Sequence, residues 1–275
     1  MRIDLHIHSN LSDGDDSVLE LISKIKREKI DLFAITDHDS VKSIDILNTI
    51  SNISYIPGVE MSSAFNNVKM HILGYGICSN GNIRKICDDI AKKRRNITLE
   101  ILEDLKKKGY CFNEEYLERF NKDDGLILSK VDISKLLVKC GYASEIKDAF
   151  YGILNPYSVG SQIRQYAEEI ISSIREDNGI SILAHPGEIV KKQNVDITRV
   201  IDELCEIGID GIEVCTPKHS SIEQYEFLSI AKKRNMLITG GSDYHGCFTK
   251  PNITLCDGVN GDLISERVKK KCIKH

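Results

Sequence analysis

The chain has 275 residues, 41% hydrophobic and 28% charged, with a formal net charge of -4, which is enough for one large barrel or two modest domains around a buried core. The acidic balance argues against a broad electropositive surface for double-stranded DNA, while local basic runs leave room for small or single-stranded nucleotides. No apolar stretch approaches the ~20 residues of a membrane span, and nine scattered cysteines without a CxxC pair read as reduced thiols of a cytoplasmic protein with no leader sequence.

The chain opens on a predicted strand at residues 3–8, then a helical pattern at 17–28 in which Leu19, Leu21, Ile22 and Ile25 share a face. A strand at 32–36 and a helix at about 40–50 repeat the unit, and strands follow at 53–56, 58–61 and 70–75. From 82 to 157 the alternation stops. A long helical pattern, 83–108, ends at Gly109, which reads as a left-handed C-cap, and shorter helical pieces lie at about 113–120, 131–140 and 144–151. Strands at 180–184, 211–214 and 237–239 then alternate with helices near 162–177, 196–207 and 220–234. Repeated strand–helix units predict an α/β protein with a parallel sheet, and about seven strands predict a closed or nearly closed barrel. Residues 1–80 and 158–275 are then two parts of one barrel, and 81–157 an all-helical insertion overhanging its mouth. The other reading of that stretch is a separate domain with its own task.

Residues of metal-ligand type fall at the ends of these strands, the edge where parallel α/β folds build their chemistry. His6 and His8 are two apart on a strand and point to one face, so one strand can grip a cation. Asp13, in the polar loop Ser12-Asp13-Gly14, is a turn aspartate by itself and a ligand in the company of these histidines. Thr36-Asp37-His38-Asp39 ends the second strand: His38 is the ligand candidate, Asp37 an acceptor that orients an imidazole, and Asp39 a cap for the next helix. Glu60 follows Pro57-Gly58-Val59, and its two oxygens can bridge two cations. His71 begins an apolar run, His185 closes another before Pro186, and Asp243 and His245 repeat the i, i+2 spacing. Imidazole with carboxylate suits hard-to-borderline divalent metals. There are more such ligands here than one ion can use, which predicts a multinuclear metal centre and hydrolysis as its work.

These motifs are His6/His8, Thr36-Asp37-His38, Glu60, His71, His185-Pro186 and Ser242-Asp243-Tyr244-His245. Their order resembles that of the PHP (polymerase and histidinol phosphatase) superfamily, over essentially the whole chain. The resemblance implies a distorted (β/α)7 barrel with a helical insertion and a trinuclear site. On that pattern His6, His8, Glu60 and Asp243 surround the first metal, Glu60 bridges to a second held by His71 and His185, and Asp13, His38 and His245 hold a third. Manganese, iron and zinc all suit such ligands. It also implies a phosphoesterase that hydrolyses a phosphomonoester with a metal-bridged hydroxide.

The insertion is similar to that of the branch acting on nucleoside 3′,5′-bisphosphates and short RNA 5′ ends, so the expected partner is a small phosphorylated nucleotide or short RNA. Where that branch carries Arg-x-His, this chain has Lys130 and Asp132 after Ser129. Lys130 offers phosphate a cation without a guanidinium fork, and Asp132 is expected to repel a second phosphate. Lys130 and His219 are the expected catalytic contacts, with Ser129 and Lys218 beside them on the substrate. The other reading of His219 is a surface histidine at a helix N-terminus. Lys92-Lys93-Arg94-Arg95 reads as a solvated face of the long helix. Histidinol-phosphate phosphatase is the alternative enzyme, its relatives generally lacking such an insertion. A non-catalytic metal-binding regulatory module is the alternative outside enzymes.

Overall fold

The computed structural model describes residues 1–122, 124–159 and 163–274. Along the chain, β1 (Ile3–Ile7), α1 (Val18–Arg27), β2 (Leu32–Ile35), α2 (Lys42–Leu47) and β3 (Ser54–Tyr55) come first, followed by β4 (Gly58–Phe65) and β5 (Val68–Tyr75). Four helices come next: α3 (Asn82–Lys107), α4 (Glu118–Asn121), α5 (Lys130–Lys139) and α6 (Ile146–Asp148). The alternation resumes with β6 (Gln165–Tyr166), α7 (Ala167–Glu176), β7 (Ile180–Leu183), α8 (Pro186–Gln193), α9 (Ile197–Glu206), β8 (Gly211–Cys215), α10 (Ser221–Lys233), β9 (Leu237–Gly240), α11 (Glu266–Lys269) and β10 (Ile273–Lys274).

Local chemistry accounts for the element ends. Ser17 and Glu20 close a capping box on α1, which buries Val18, Leu21, Ile22 and Ile25, the i, i+3, i+4, i+7 set of one helical face. Leu19, expected on that face, is 62% exposed, because one residue turns the helix by about 100°. The long helix α3 ends as expected, with Gly109 at φ +91° just past its C-cap. Its start needs help from elsewhere. The N-cap, Gly81, offers no side chain, and Asp177 from the end of α7 accepts the N–H groups of Asn82 and Ile83 at 2.8 and 3.1 Å.

The fold is α/β, but its ladders are not wholly parallel, and they fall into two sheets, ordered β1-β2-β3-β10 and β6-β4-β5-β7-β8-β9. β5 runs antiparallel to both β4 and β7, and β10 antiparallel to β3. The cause at β5 is a two-residue connection, Asn66-Asn67, with φ +46° and +65°, which folds β4 and β5 into a hairpin and leaves no length for a crossover. Reversal sets His71, the fourth of the eight residues of β5, level with Ala184 just past the end of β7. Two further differences are the short strand β6, inside a stretch expected to be helical, and α8, which starts with Pro186 at its first turn.

The two sheets meet at the strand-end edge through single parallel bridges, Ile7 with Tyr244 and His38 with Glu60. Behind the edge, Ile3, Leu5, Leu32 and Ala34 of the first sheet share an apolar cluster with Leu73, Tyr75, Ile180 and Ile182 of the second. The opposite face of β2, Phe33 and Ile35, packs with Leu21 and Ile22 of α1, as period-2 alternation requires of a strand buried on both sides. The first half of α3 (Ile83, Cys87, Ile90) packs on the main core, whereas Ile101 and Leu105 belong to a separate cluster with Phe120, Ile133, Leu137 and Leu154. No helix among the described residues is long and apolar enough to cross a membrane.

Candidate metal centre

Where the strands end, the ligand-type side chains converge on Glu60, which lies in β4 and is fully buried. Its Oε2 lies 3.2 Å from His6 Nε2, 3.1 Å from His8 Nε2 and 3.1 Å from His38 Nδ1. Its Oε1 lies 2.9 Å from both His71 Nδ1 and His185 Nε2. One carboxylate thus touches five imidazoles brought by β1, the turn after β2, β5 and the turn after β7. Asp243 Oδ1 adds contacts of 3.3 and 3.2 Å to His6 and His8, and Asp13 Oδ1 lies 3.3 Å from His245 Nε2. Two of these residues have backbones in the left-handed region, His185 at φ +28° and Asp243 at +56°. Such conformations cost energy and persist where the surroundings hold them.

Three groups have ligand atoms close enough for a shared cation: His6, His8, Glu60 and Asp243; His8, Asp13, His38 and His245; and His38, Glu60 and His71. The structure therefore brings together every metal-site residue expected from the sequence. The sharing differs in detail. His8 stands with the Asp13 group as well as the first, and His38 reaches Glu60 and His71, where His185 was expected as the partner. His185 still touches Glu60.

The donor set fits divalent cations by a separate criterion. Buried polar atoms are nearly always paired, yet among the described residues His6 Nε2, both ring nitrogens of His8, His38 Nδ1, Asp13 Oδ1 and Glu60 Oε2 are buried without a well-directed hydrogen bond, meeting only one another's ligand atoms. Electrostatics agree. Burial alone would raise the carboxylates, but the imidazoles around Glu60 and Asp13, and Lys218 and Lys250 beside Asp243, hold all three well below the usual range. Burial would lower His8, but Asp243 and Glu60 bring it up to about 9. Burial with Lys218 lowers His185 to about 4, and burial with His8 does the same for His245. At neutral pH the carboxylates are ionised and His185 and His245 offer free lone pairs, as metal binding requires, whereas His6 and His8, raised by the carboxylates around them, give up a proton when a cation binds.

Residues behind the ligands hold them in place. His6 Nδ1 lies 2.9 Å from Glu213 Oε1, and the other Glu213 oxygen accepts the His185 backbone N–H at 2.9 Å. Glu213 thus has the imidazole-orienting role expected of Asp37. Asp37 instead accepts the Ser9 N–H and the hydroxyls of Ser9 and Ser12, all at 2.7 Å, which shapes the loop carrying Asp13. Asp39 caps no helix: one carboxylate oxygen accepts the Ser62 N–H and the other pairs with Arg94 Nη2 at 2.6 Å. The visible signal for Glu213 was an acid inside the apolar strand Gly211–Cys215, all of it buried.

The substrate residues fall into two sets. Lys130 and Ser129 line a cavity of about 320 Å³ that also contains His38, His71 and Asp13. Lys130 Nζ lies 4.3 Å from the centre of the Phe150 ring. Lys218 is in a neighbouring cavity, its Nζ 2.5 Å from Asp243 and 3.3 Å from Glu188. His219 is not brought to either cavity wall and is not a surface residue either. It is 5% exposed, its Nδ1 donates to Val214 O at 3.0 Å, and its Nε2 accepts the Gly187 N–H at 3.0 Å. Both ring nitrogens are used in tying α8 to β8. Asp132 also departs from expectation. It closes a capping box with Ser129 and pairs with Arg119 Nε at 2.7 Å, so its charge is neutralised away from the cavity.

Sequence reasoning missed Arg164 and misplaced Arg94. Arg94 is 8% exposed, not solvated, and lines the 320 Å³ cavity together with Arg164. Among the described residues Arg164 forms no ion pair, and its Nη1 donates to Ser63 O at 3.3 Å. A Lys-Arg run that alternates around a helix could have flagged Arg94, since one of four consecutive helical residues must face inward. Nothing local marks Arg164.

The sequence pattern of the PHP domain matches residues 4–216. The chain is 24% identical over 253 residues to the phosphoribosyl 1,2-cyclic phosphate 1,2-diphosphodiesterase of Eggerthella lenta, covering 89% of this chain and 94% of that one. It is 28% identical over 255 residues to the 5′-3′ exoribonuclease Rnm of Escherichia coli (88% and 84%). It is 27% identical over 254 residues to the 3′,5′-nucleoside bisphosphate phosphatase of Chromobacterium violaceum (89% and 87%). A crystal structure from Bifidobacterium adolescentis, described as a metal-dependent phosphoesterase, superposes with a TM-score of 0.80 at 21% identity, over 98% of this chain and 95% of that one.

Proposed function

The chain belongs to the PHP domain family and is a metal-dependent phosphoesterase, and from that premise we propose that it hydrolyses a phosphomonoester on a nucleotide bearing a second phosphate, or on the 5′ end of a short RNA. The observation that carries this reading is the set of cations beside the metal centre. Lys130 and Arg164 line one cavity with His38 and His71, beside Arg94, whose charge is shared with Asp39, so a substrate with a phosphate over the metal ligands can place another anion against Lys130 and Arg164. Asp132, paired with Arg119, does not oppose it. Histidinol phosphate would put a cationic amine in the same surroundings, which disfavours that alternative.

We read His6, His8, Glu60 and Asp243 as holding one cation, Glu60 with His71 and His185 a second, and Asp13, His38 and His245 a third, manganese, iron or zinc suiting all of them. Divalent cations there supply charge for phosphate oxygens and lower the pKa of bound water. Glu213 fixes the His6 ring for this task. Lys218 reaches the phosphate from the Asp243 side and Lys130 from the insertion, while His219 braces the scaffold and touches no substrate. Residues 81–157 form the roof of the mouth in this reading, supported by Lys130 in the cavity wall and by Arg119 and Lys135, which bind backbone oxygens of Asn10, Ser12, Asp13 and Gly14. The two bridges between the sheets support closure into one distorted (β/α)7 barrel. Nine free cysteines support a cytoplasmic location.

The test is a panel of phosphate esters assayed on samples whose metal content is measured. His8→Ala and Asp243→Ala are expected to lose bound metal and phosphate release together. Arg164→Ala should raise KM for adenosine 3′,5′-bisphosphate roughly tenfold, the loss of one charge-assisted contact, and leave a simple monoester nearly unchanged. An equal effect on both esters would remove the second-phosphate reading, and turnover of histidinol phosphate alone would favour the alternative.

A further inference from the structure

A second cavity, of about 550 Å³, opens over the same ligands and includes His185, Asp243 and His245 in its wall. Two aromatic residues line it, Phe150 and Tyr151, in the single π-helical turn Ala149–Ile153, a distortion that often accompanies function in helices. We propose that Tyr151, backed by Phe150, is the stacking platform for the nucleobase of the substrate and a specificity-determining residue of this enzyme. The inference rests on the nucleotide reading above.

Exposure alone would not single out Tyr151, because isolated surface aromatics are ordinary. Tyr166 and Tyr225 are 74% exposed, Tyr151 70%. Of these three only Tyr151 shares a cavity wall with the metal-ligand residues; Tyr157, in the wall of the neighbouring cavity, is half-buried with its hydroxyl bound to Lys108. The Tyr151 ring is also supported from behind. Phe150 stands edge-on to it, with centroids 5.0 Å apart and planes at 65°, and Phe150 is itself held by the Lys130 ammonium 4.3 Å from its centre. A largely exposed ring already held by an edge contact loses little entropy when a flat partner covers it.

Charge decides which flat partner fits. The wall of this cavity also carries Lys147, Lys192, Lys218 and Lys250 against Asp13, Glu188 and Asp243; Lys192, Lys218 and Lys250 pair with Glu188 or Asp243, and Lys147 forms no ion pair among the described residues. Aromatic faces set among lysines are how proteins bind single-stranded nucleic acid, the cations taking the phosphates and the rings the bases. A volume of about 550 Å³ is ample for one nucleotide. Because every base has a π-face, the platform recognises the presence of a base and discriminates weakly among the four.

The test compares substrates with and without a base, using metal-loaded protein. Tyr151→Ala should raise KM for adenosine 3′,5′-bisphosphate about tenfold with kcat nearly constant, and leave ribose 5-phosphate unaffected; Tyr151→Phe should restore the parent value. The chain contains no tryptophan, so Tyr151→Trp carries a single tryptophan reporter whose fluorescence a stacked base quenches. Quenching by the bisphosphate but not by ribose 5-phosphate is expected. An unchanged KM in Tyr151→Ala, or equal quenching by the two ligands, would overturn the platform. If the parent protein released phosphate from no ester, the hydrolase reading would fail instead, and the fluorescence arm, which needs only binding, would still decide on Tyr151.

Discussion

Glu213 shows how much of this site depends on residues that touch no substrate. Its two oxygens reach His6 and the His185 backbone, so a single buried carboxylate orients ligands from two strands. Glu213→Gln keeps the shape and removes the charge. We expect metal affinity to fall 10- to 100-fold, read by titration against a competing chelator, with the circular dichroism unchanged; parent-like affinity would refute the orienting role. Cys256 carries a second expectation. Burial, together with the charge of Asp4, pushes its thiol up to about 12, whereas Cys78, Cys111 and Cys247 are exposed. Iodoacetamide at pH 8 should modify the exposed three and spare Cys256, and mass mapping checks this. An ordinary thiol titrates near about 8.5, so the folded value is the higher one. The stability this group contributes is complete below the ordinary value and is lost as pH rises toward 12. Cys256→Ala should therefore flatten the fall in melting temperature over that alkaline range.

Elements are placed by caps and turns that link distant parts of the chain. The Asn66-Asn67 turn reverses β5 and so delivers His71 to the ligand edge. Asparagine tolerates the left-handed region better than other residues with a Cβ, which is why this pair can make the turn. The start of α3 depends on Asp177, at the end of a different helix, for two of its free N–H groups. Asp177→Ala should cost about 1 kcal/mol, the usual value of an N-cap, measured by urea unfolding. No change in the midpoint would mean that water replaces the carboxylate at no loss.

Across the whole molecule, α3 joins two cores. Its 26 residues span about 39 Å, starting on the main core and ending in the separate cluster around Phe120 and Leu137. Arg119 then fastens that second cluster to the metal centre, with its Nη atoms 2.7 Å from Asn10 O and Ser12 O and its Nε on buried Asp132. Arg119→Met should destabilise the protein by roughly 3 kcal/mol, because a buried carboxylate loses its partner. It should also lower phosphate release by loosening the loop that carries Asp13. A variant with parent-like melting and turnover would show that the insertion and the metal centre are independent.

The sequence by itself determined what depends on neighbours a few residues apart. The strand–helix alternation, the C-cap at Gly109 and the placing of His8, His38, His185, Asp243 and His245 just past strand ends follow from local periodicity and residue chemistry, whereas Glu60 and His71, expected at strand ends, lie inside β4 and β5. Only the tertiary structure decided the reversal of β5, the use of Glu213 in place of Asp37, the burial of His219 and the neutralisation of Asp132. It also decided the meeting of Arg94 and Arg164. The physical reason is separation along the chain: His6 and Glu213 are 207 residues apart. A side chain's charge and partners are set by what packs against it, and no pattern of near neighbours carries that information.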